Sequence, residues 1–142
     1  HAAIGLAQLP KLREHHERRR HLAARYRHAL EDLPVRVQQI ITGGTDADHA
    51  WHLFCISVRP EAKVSRENLM EALAAAGIGY SVHFIPVFEF SNTQRKHSFP
   101  AREFPATCAY FAGALSLPLY PTLADDEQDE VLRVLRAAFR GT

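Results

Sequence analysis

The chain has 142 residues, 46% of them hydrophobic and 23% charged, with a net charge of +1. A chain of this size forms one domain that buries roughly 70% of its unfolded surface, which excludes general disorder. No apolar run approaches the ~20 residues of a membrane span, and no charge excess singles out nucleic acid or a membrane as partner.

Residues 2–33 carry the strongest helical pattern. Leu22, Tyr26, Ala29 or Leu30, and Leu33 recur on one face. Ile4, Leu6, Leu9 and Leu12 form a shorter apolar cluster ahead of it, and Pro10 predicts a kink or break between the two. The opening residues already read as mid-helix, with no capping residue before them, and the single methionine is Met70. The chain therefore reads as cut from something longer. It lacks the basic start of a secretory signal, and its two cysteines, Cys55 and Cys108, make no disulfide framework; a reducing, cytoplasmic compartment is expected.

Pro34 should end the helix, with a short strand over 35–41 and a loop at Gly43-Gly44-Thr45-Asp46. Residues 51–58, aromatic and β-branched, form the best strand. Ser65 is the N-cap of a helix over 66–76, which Gly77 ends. A strand over 80–85 follows and closes at Pro86; residues 87–103 read as irregular. Residues 104–114 predict a helix with Pro105 in its first turn, 115–119 a strand that Pro118 confines to an edge or bulge, and 125–139 a closing helix, acidic at its start and basic at its end. The fold class is α/β in the α+β, two-layer sense. A small, mostly antiparallel sheet carries helices packed on one face, preceded by a long kinked N-terminal helix.

Candidate chemistry is sparse. His49 and His52, with Asp46 and Asp48 nearby, do not converge as zinc ligands must when one falls in a strand and the aspartates in a loop, so no metal is expected. The basic run Arg18-Arg19-Arg20-His21, with Arg25 and Arg27, could meet phosphates. Glu14 and Glu17 stand four residues before Arg18 and His21, which favours a solvated helix face or one covered by a partner. Cys55 and Cys108 lie on apolar patterns and read as inert buried thiols, and Ser57, Ser81 and Ser116 lack a nucleophile elbow. His83 is mid-strand on the face of Ser81 and Ile85, where a histidine with one satisfied hydrogen bond is the plain expectation.

Four segments in order change that expectation. They are residues 2–9 with the later Arg18-Arg19-Arg20, His49-Ala50-Trp51-His52-Leu53-Phe54, Gly77-Ile78-Gly79 leading to Val82-His83-Phe84-Ile85-Pro86, and Leu115-Ser116-Leu117-Pro118-Leu119-Tyr120-Pro121. Together they resemble the C-terminal portion of the DegT/DnrJ/StrS-type nucleotide-sugar aminotransferases, over nearly the whole chain. The resemblance implies a fold type I enzyme that uses pyridoxal 5′-phosphate (PLP). A large domain would hold the cofactor on a lysine Schiff base, and residues 1–142 would be the small C-terminal domain with the end of a connecting helix over 1–33. It also implies a homodimer that moves an amino group, commonly from glutamate, to a keto sugar on a nucleotide, in cell-surface polysaccharide or secondary-metabolite biosynthesis.

By the same resemblance His83 approaches the cofactor and substrate, with Tyr80 and Phe84 beside it. Lys11, Lys63 and Lys96 lie in none of the strand-end settings that a Schiff-base lysine requires, so this chain is expected to supply no catalytic residue, to bind no PLP alone and to be inactive alone. Many relatives carry a small residue at the position of Tyr80, and the stretch Val87-Phe88-Glu89-Phe90-Ser91-Asn92 departs from theirs, so the sugar is not transferable. A stand-alone binding or scaffolding domain of the same descent is the alternative. The apolar cluster Ile4, Leu6 and Leu9 is expected to be exposed and to drive self-association.

Overall fold

The computed structural model describes residues 1–39, 49–97 and 99–141. Helix α1 (Ala2–Ala29) buries Leu22, Ala23 and Tyr26, and leads to strand β1 (Val35–Val37). Strand β2 (Phe54–Val58), helix α2 (Arg66–Ala75), the short helix α3 (Ser91–Lys96), helix α4 (Pro105–Gly113), strand β3 (Ala114–Leu117) and helix α5 (Asp125–Arg140) complete the order. Among the described residues the strands form one antiparallel sheet in the order β1-β2-β3, with Val35 opposite Val58 and Phe54 opposite Leu117.

Strand β2 alternates as a half-buried strand should: Phe54, Ile56 and Val58 are buried, while Cys55 and Ser57 are only partly covered. The core fills the first face, where Tyr26 and Leu30 of α1, Leu69 and Leu73 of α2, and Val131, Val134 and Leu135 of α5 meet the sheet. The Tyr26 ring lies 4.9 Å from that of Phe54, and its hydroxyl donates to the Pro118 carbonyl at 3.0 Å; burial pushes the phenol well above its ordinary pKa. Helix α4 runs beside β2 from the side of Cys55 and Ser57.

The helix face of Leu22, Tyr26 and Leu30 is where its periodicity puts it, and Leu33 packs partly buried against the same core. Several boundaries differ from the sequence expectation. Helical structure runs through Pro10 without a break, because its missing donor frees only the Leu6 carbonyl, in a turn whose residues are exposed to water. The helix ends at Ala29, with Leu30 as its C-cap, instead of continuing to residue 33. Strand β1 stops at Val37, and the expected loop at Gly43-Gly44-Thr45-Asp46 lies outside the described residues.

Strand β2 is shorter than 51–58 because Trp51 has φ +46°, which no strand residue adopts. Trp51 is instead a core anchor, 1% exposed, whose amide donates to His49 Nδ1 at 3.0 Å. Residues 87–103 are not irregular throughout. A single 3-10 turn spans Val87–Glu89, α3 follows, and a second 3-10 turn spans Ala101–Glu103. The Phe88 and Phe104 rings stack at 5.0 Å and fold this stretch back on itself.

The cationic face of α1 is not a solvated strip of intrahelical pairs. Arg18 meets Asp125 at 2.6 Å, Arg25 meets Asp125 at 3.1 Å and Asp129 at 2.7 Å, and His21 lies 3.5 Å from Asp125, so the run clamps α1 to the start of α5. The hydrogen bond from Arg18 holds the Asp125 carboxyl below its ordinary range, with Arg25 and His21 adding to it. A depressed carboxyl pKa contributes stability that is fully present above the unfolded value of about 3.9 and is lost as pH falls through the lower folded value. The urea midpoint is therefore expected to fall more steeply below about pH 4 in the wild type than in Asp125→Asn. Parallel pH profiles for the two would remove the clamp from the account of acid stability.

Candidate functional site

The elements around α2 build a cleft in three steps. Ser65 caps the helix, accepting from the Asn68 amide at 3.1 Å, while the Asn68 side chain accepts from the Ser65 amide at 3.2 Å. At the other end Gly77 takes φ +71°, the Gly77 amide donates to Ala74 and the Ile78 amide donates to Leu73, the paired bonds that turn a chain out of a helix. The chain then reaches β3, where Ser81 and Ser116 exchange backbone hydrogen bonds at 3.2 and 2.8 Å.

A cleft of about 670 Å³ opens between this segment, the end of β3 and the start of α5. Its wall includes Tyr80, His83, Ser116, Tyr120, Glu127 and Glu130. The strand expected over 80–85 is reduced to the Ser81–Ser116 bridge, since β3 has only four residues and Pro118, just beyond it, has no amide to extend a ladder. The peptide bond between His83 and Phe84 is cis.

His83 is half-buried, and its Nδ1 lies 2.8 Å from the hydroxyl of the buried Ser116. Tyr80 is half-buried in the same wall. Phe84 is not among the lining residues; it is exposed and stands edge-on to the His83 ring at 4.7 Å. In the sequence Ser116 stands out only as a serine without a nucleophile elbow, and its contact with His83 comes from the fold. The register that sets Ser116 opposite Cys55 and beside Ser81 joins residues far apart in the chain, and only the Leu-Ser-Leu-Pro segment hinted at it.

The remaining candidates are not gathered here. His49 uses Nδ1 on the Trp51 amide and its carbonyl on His16 Nε2 at 2.9 Å, while His52 is exposed at the cleft edge. Asp46 and Asp48 lie outside the described residues, and among the described residues no group of three or more His, Cys, Asp or Glu side chains could hold a metal. The thiols are not fully buried. Cys55 Sγ lies 3.2 Å from Ser116 Oγ, and Cys108 Sγ donates to the Ala101 carbonyl at 3.5 Å.

The donor set of the cleft does not fit PLP by itself. A Schiff base needs an amine, and no lysine lines the cleft; Lys11 lies on α1, Lys63 just before α2 and Lys96 at the end of α3. A phosphate needs cations or free amides, yet the charged lining residues are Glu127 and Glu130. Glu127 accepts from the Ala124 amide at 2.8 Å, and the Arg133 hydrogen bond keeps the Glu130 carboxyl below its ordinary range.

Comparison with known proteins agrees with the segments that carry the resemblance. The spore coat polysaccharide biosynthesis protein SpsC of Bacillus subtilis is 37% identical over 142 residues, which cover 99% of this chain and 36% of SpsC. The structure of DesV from S. venezuelae superposes with a TM-score of 0.81 at 27% identity, over 95% of this chain and 34% of DesV. Spr1654 of Streptococcus pneumoniae, in its PLP form, matches in fold with a TM-score of 0.85 at 24% identity, over 99% of this chain and 35% of that one. The chain thus spans about a third of the length of each. The DegT/DnrJ/EryC1/StrS aminotransferase model matches residues 1–136, and the chain belongs to that family of PLP-dependent aminotransferases.

Proposed function

We propose that residues 1–142 serve as the C-terminal small domain of a longer, cytoplasmic PLP-dependent sugar aminotransferase that works as a homodimer. The enzyme moves an amino group from an amino acid, glutamate by the family's common use, to a nucleotide-linked keto sugar. The product serves cell-surface polysaccharide or secondary-metabolite biosynthesis, in keeping with the similar SpsC, a spore coat polysaccharide biosynthesis protein. The large domain holds PLP, and this chain lends the wall that borders substrate and cofactor, with His83 and Tyr80 on it and Phe84 exposed beside the His83 ring.

One observation carries the reading: His83, in the segment that the family likeness assigns to the substrate side, stands in the cleft wall with its ring fastened to Ser116. Two others support it. The lining carries no lysine, and Ile4, Leu6, Leu9 and Leu12 of α1 are all more than half exposed, as suits a helix that docks on a further domain or subunit. Among the described residues no helix is long and apolar enough to cross a membrane.

Treated with PLP and then borohydride, the 142-residue chain is expected to retain no stoichiometric phosphopyridoxyl group on Lys11, Lys63 or Lys96 by mass spectrometry. One equivalent on a single lysine would overturn the division of labour. In the full-length enzyme, His83→Ala is expected to lower kcat/KM for the keto sugar about tenfold, the worth of one hydrogen bond, with PLP content unchanged. An unchanged kcat/KM removes His83 from the site.

A further inference from the structure

A chain of polar contacts crosses the partly covered side of the sheet, and its direction is fixed by what each group can donate. His83 Nδ1 lies 2.8 Å from Ser116 Oγ, and Ser116 Oγ lies 3.2 Å from Cys55 Sγ. Ser116 is 5% exposed and sits directly opposite Cys55 in the β2–β3 register. Burial foremost, with Cys55 nearby, raises the pKa of the Tyr110 phenol of α4.

The Ser116 hydroxyl has one proton to give and two neighbours to receive it. An imidazole nitrogen is a far better acceptor than a thiol or thioether-like sulfur, and a thiol is a weak donor that still needs an oxygen. If the proton went to sulfur, the Cys55 S–H would lose Ser116 as an acceptor and the imidazole would have to donate at Nδ1. With the proton on the His83 side, both donors have an acceptor: Cys55 S–H to Ser116 Oγ, and Ser116 O–H to His83 Nδ1. The backbone exchange between Ser81 and Ser116 holds the chain two residues before His83 against the same strand, so the ring reaches Ser116 from a fixed start.

We propose that Ser116 is a positioning residue that holds the neutral His83 ring as its Nε2–H tautomer, so that His83 offers the cleft a hydrogen-bond donor for an acceptor oxygen of the substrate. The substrate half of this rests on the aminotransferase reading; the tautomer does not. In this tautomer Nε2 already carries its proton and the Nδ1 lone pair is taken by the Ser116 hydroxyl, so this histidine recognises an oxygen lone pair and does not serve as the base.

The tautomer is read by long-range proton–nitrogen correlation on the ¹⁵N-labelled 142-residue chain at about pH 8, above the ordinary titration range of histidine. The wild type is expected to show Nδ1 unprotonated and Nε2 protonated, as one tautomer. In Ser116→Ala, with an unchanged circular dichroism spectrum, the two nitrogen shifts should move toward each other as both tautomers become populated. Cys55→Ala, which leaves the Ser116–His83 bond intact, should keep the single tautomer. A protonated Nδ1 in the wild type overturns the proposal without any variant, and so does a folded Ser116→Ala chain with unmoved shifts. In the full-length enzyme, Ser116→Ala should lower kcat/KM for the keto sugar as His83→Ala does, and the double variant should lose no more than either. A correct tautomer beside a normal Ser116→Ala kcat/KM overturns the substrate role alone and leaves the ring's fastening intact.

Discussion

Gly113→Ala is expected to destabilise the chain by about 3 kcal/mol, at the upper end of what one inserted methyl costs in a packed interior. A Cβ at Gly113 would stand 2.4 Å from the Val58 carbonyl oxygen, 2.9 Å from the Val58 amide nitrogen and 2.8 Å from Ser57 Oγ. Two of these neighbours are backbone atoms of the central strand, paired on one side with β1 and on the other with β3. They cannot retreat without breaking the ladder. Shortening the side chain in Gly113→Ala/Ser57→Ala should recover little, because the closest contact is the carbonyl. Urea unfolding followed by circular dichroism measures both. A midpoint for Gly113→Ala equal to that of the wild type would mean that α4 does not approach β2 as described.

The position matters to the site as well as to the core. Gly113 ends α4, and Ala114 begins the strand that carries Ser116. Any shift of β3 away from β2 therefore moves the serine that fastens His83, together with the bridge to Ser81. Nothing in the sequence flags this glycine. It has no positive φ and forms no turn, and its requirement arises only from a strand more than fifty residues earlier.

That contrast runs through the molecule. The buried face of α1 was legible because Leu22, Tyr26 and Leu30 repeat at helical spacing, and the limits of α2 were legible because Ser65 and Gly77 act on their own neighbours. The segment 80–85 has the composition of extended backbone, but a strand also needs a ladder partner. Here that partner is one residue, Ser116, on a strand that Pro118 cuts short. The pairs made by Arg18 and Arg25 show the same limit. A local spacing rule points to Glu14, whereas the charges that meet them lie a hundred residues away on α5. Of the candidate site, His83 and Tyr80 came from the family likeness and share the cleft wall. Ser116, Glu127 and Glu130, which surround them, depend on tertiary placement.

Trp51→Ala is expected to cost about 4 kcal/mol, within the range for deleting a buried aromatic and a large part of a total stability of about 5–15 kcal/mol. Trp51 is 1% exposed, its ring lies 4.4 Å from that of His49 and 6.1 Å from that of Phe54, and Phe54 passes the contact on to Tyr26 of α1. The same residue carries φ +46°, a conformation that costs an L-residue about 1–2 kcal/mol and glycine almost nothing. At most buried sites glycine is the worse replacement, because it frees the unfolded chain. Here the order should be level or reversed, with Trp51→Gly no less stable than Trp51→Ala although both leave the same cavity. Circular dichroism is the suitable probe, since the chain's single tryptophan is the residue removed. A glycine variant clearly less stable than the alanine one would mean that the backbone at 51 is not held at positive φ. The turn there sets the exposed His52 and half-buried Leu53 at the edge of the cleft, so both variants should also loosen the wall in which His83 stands.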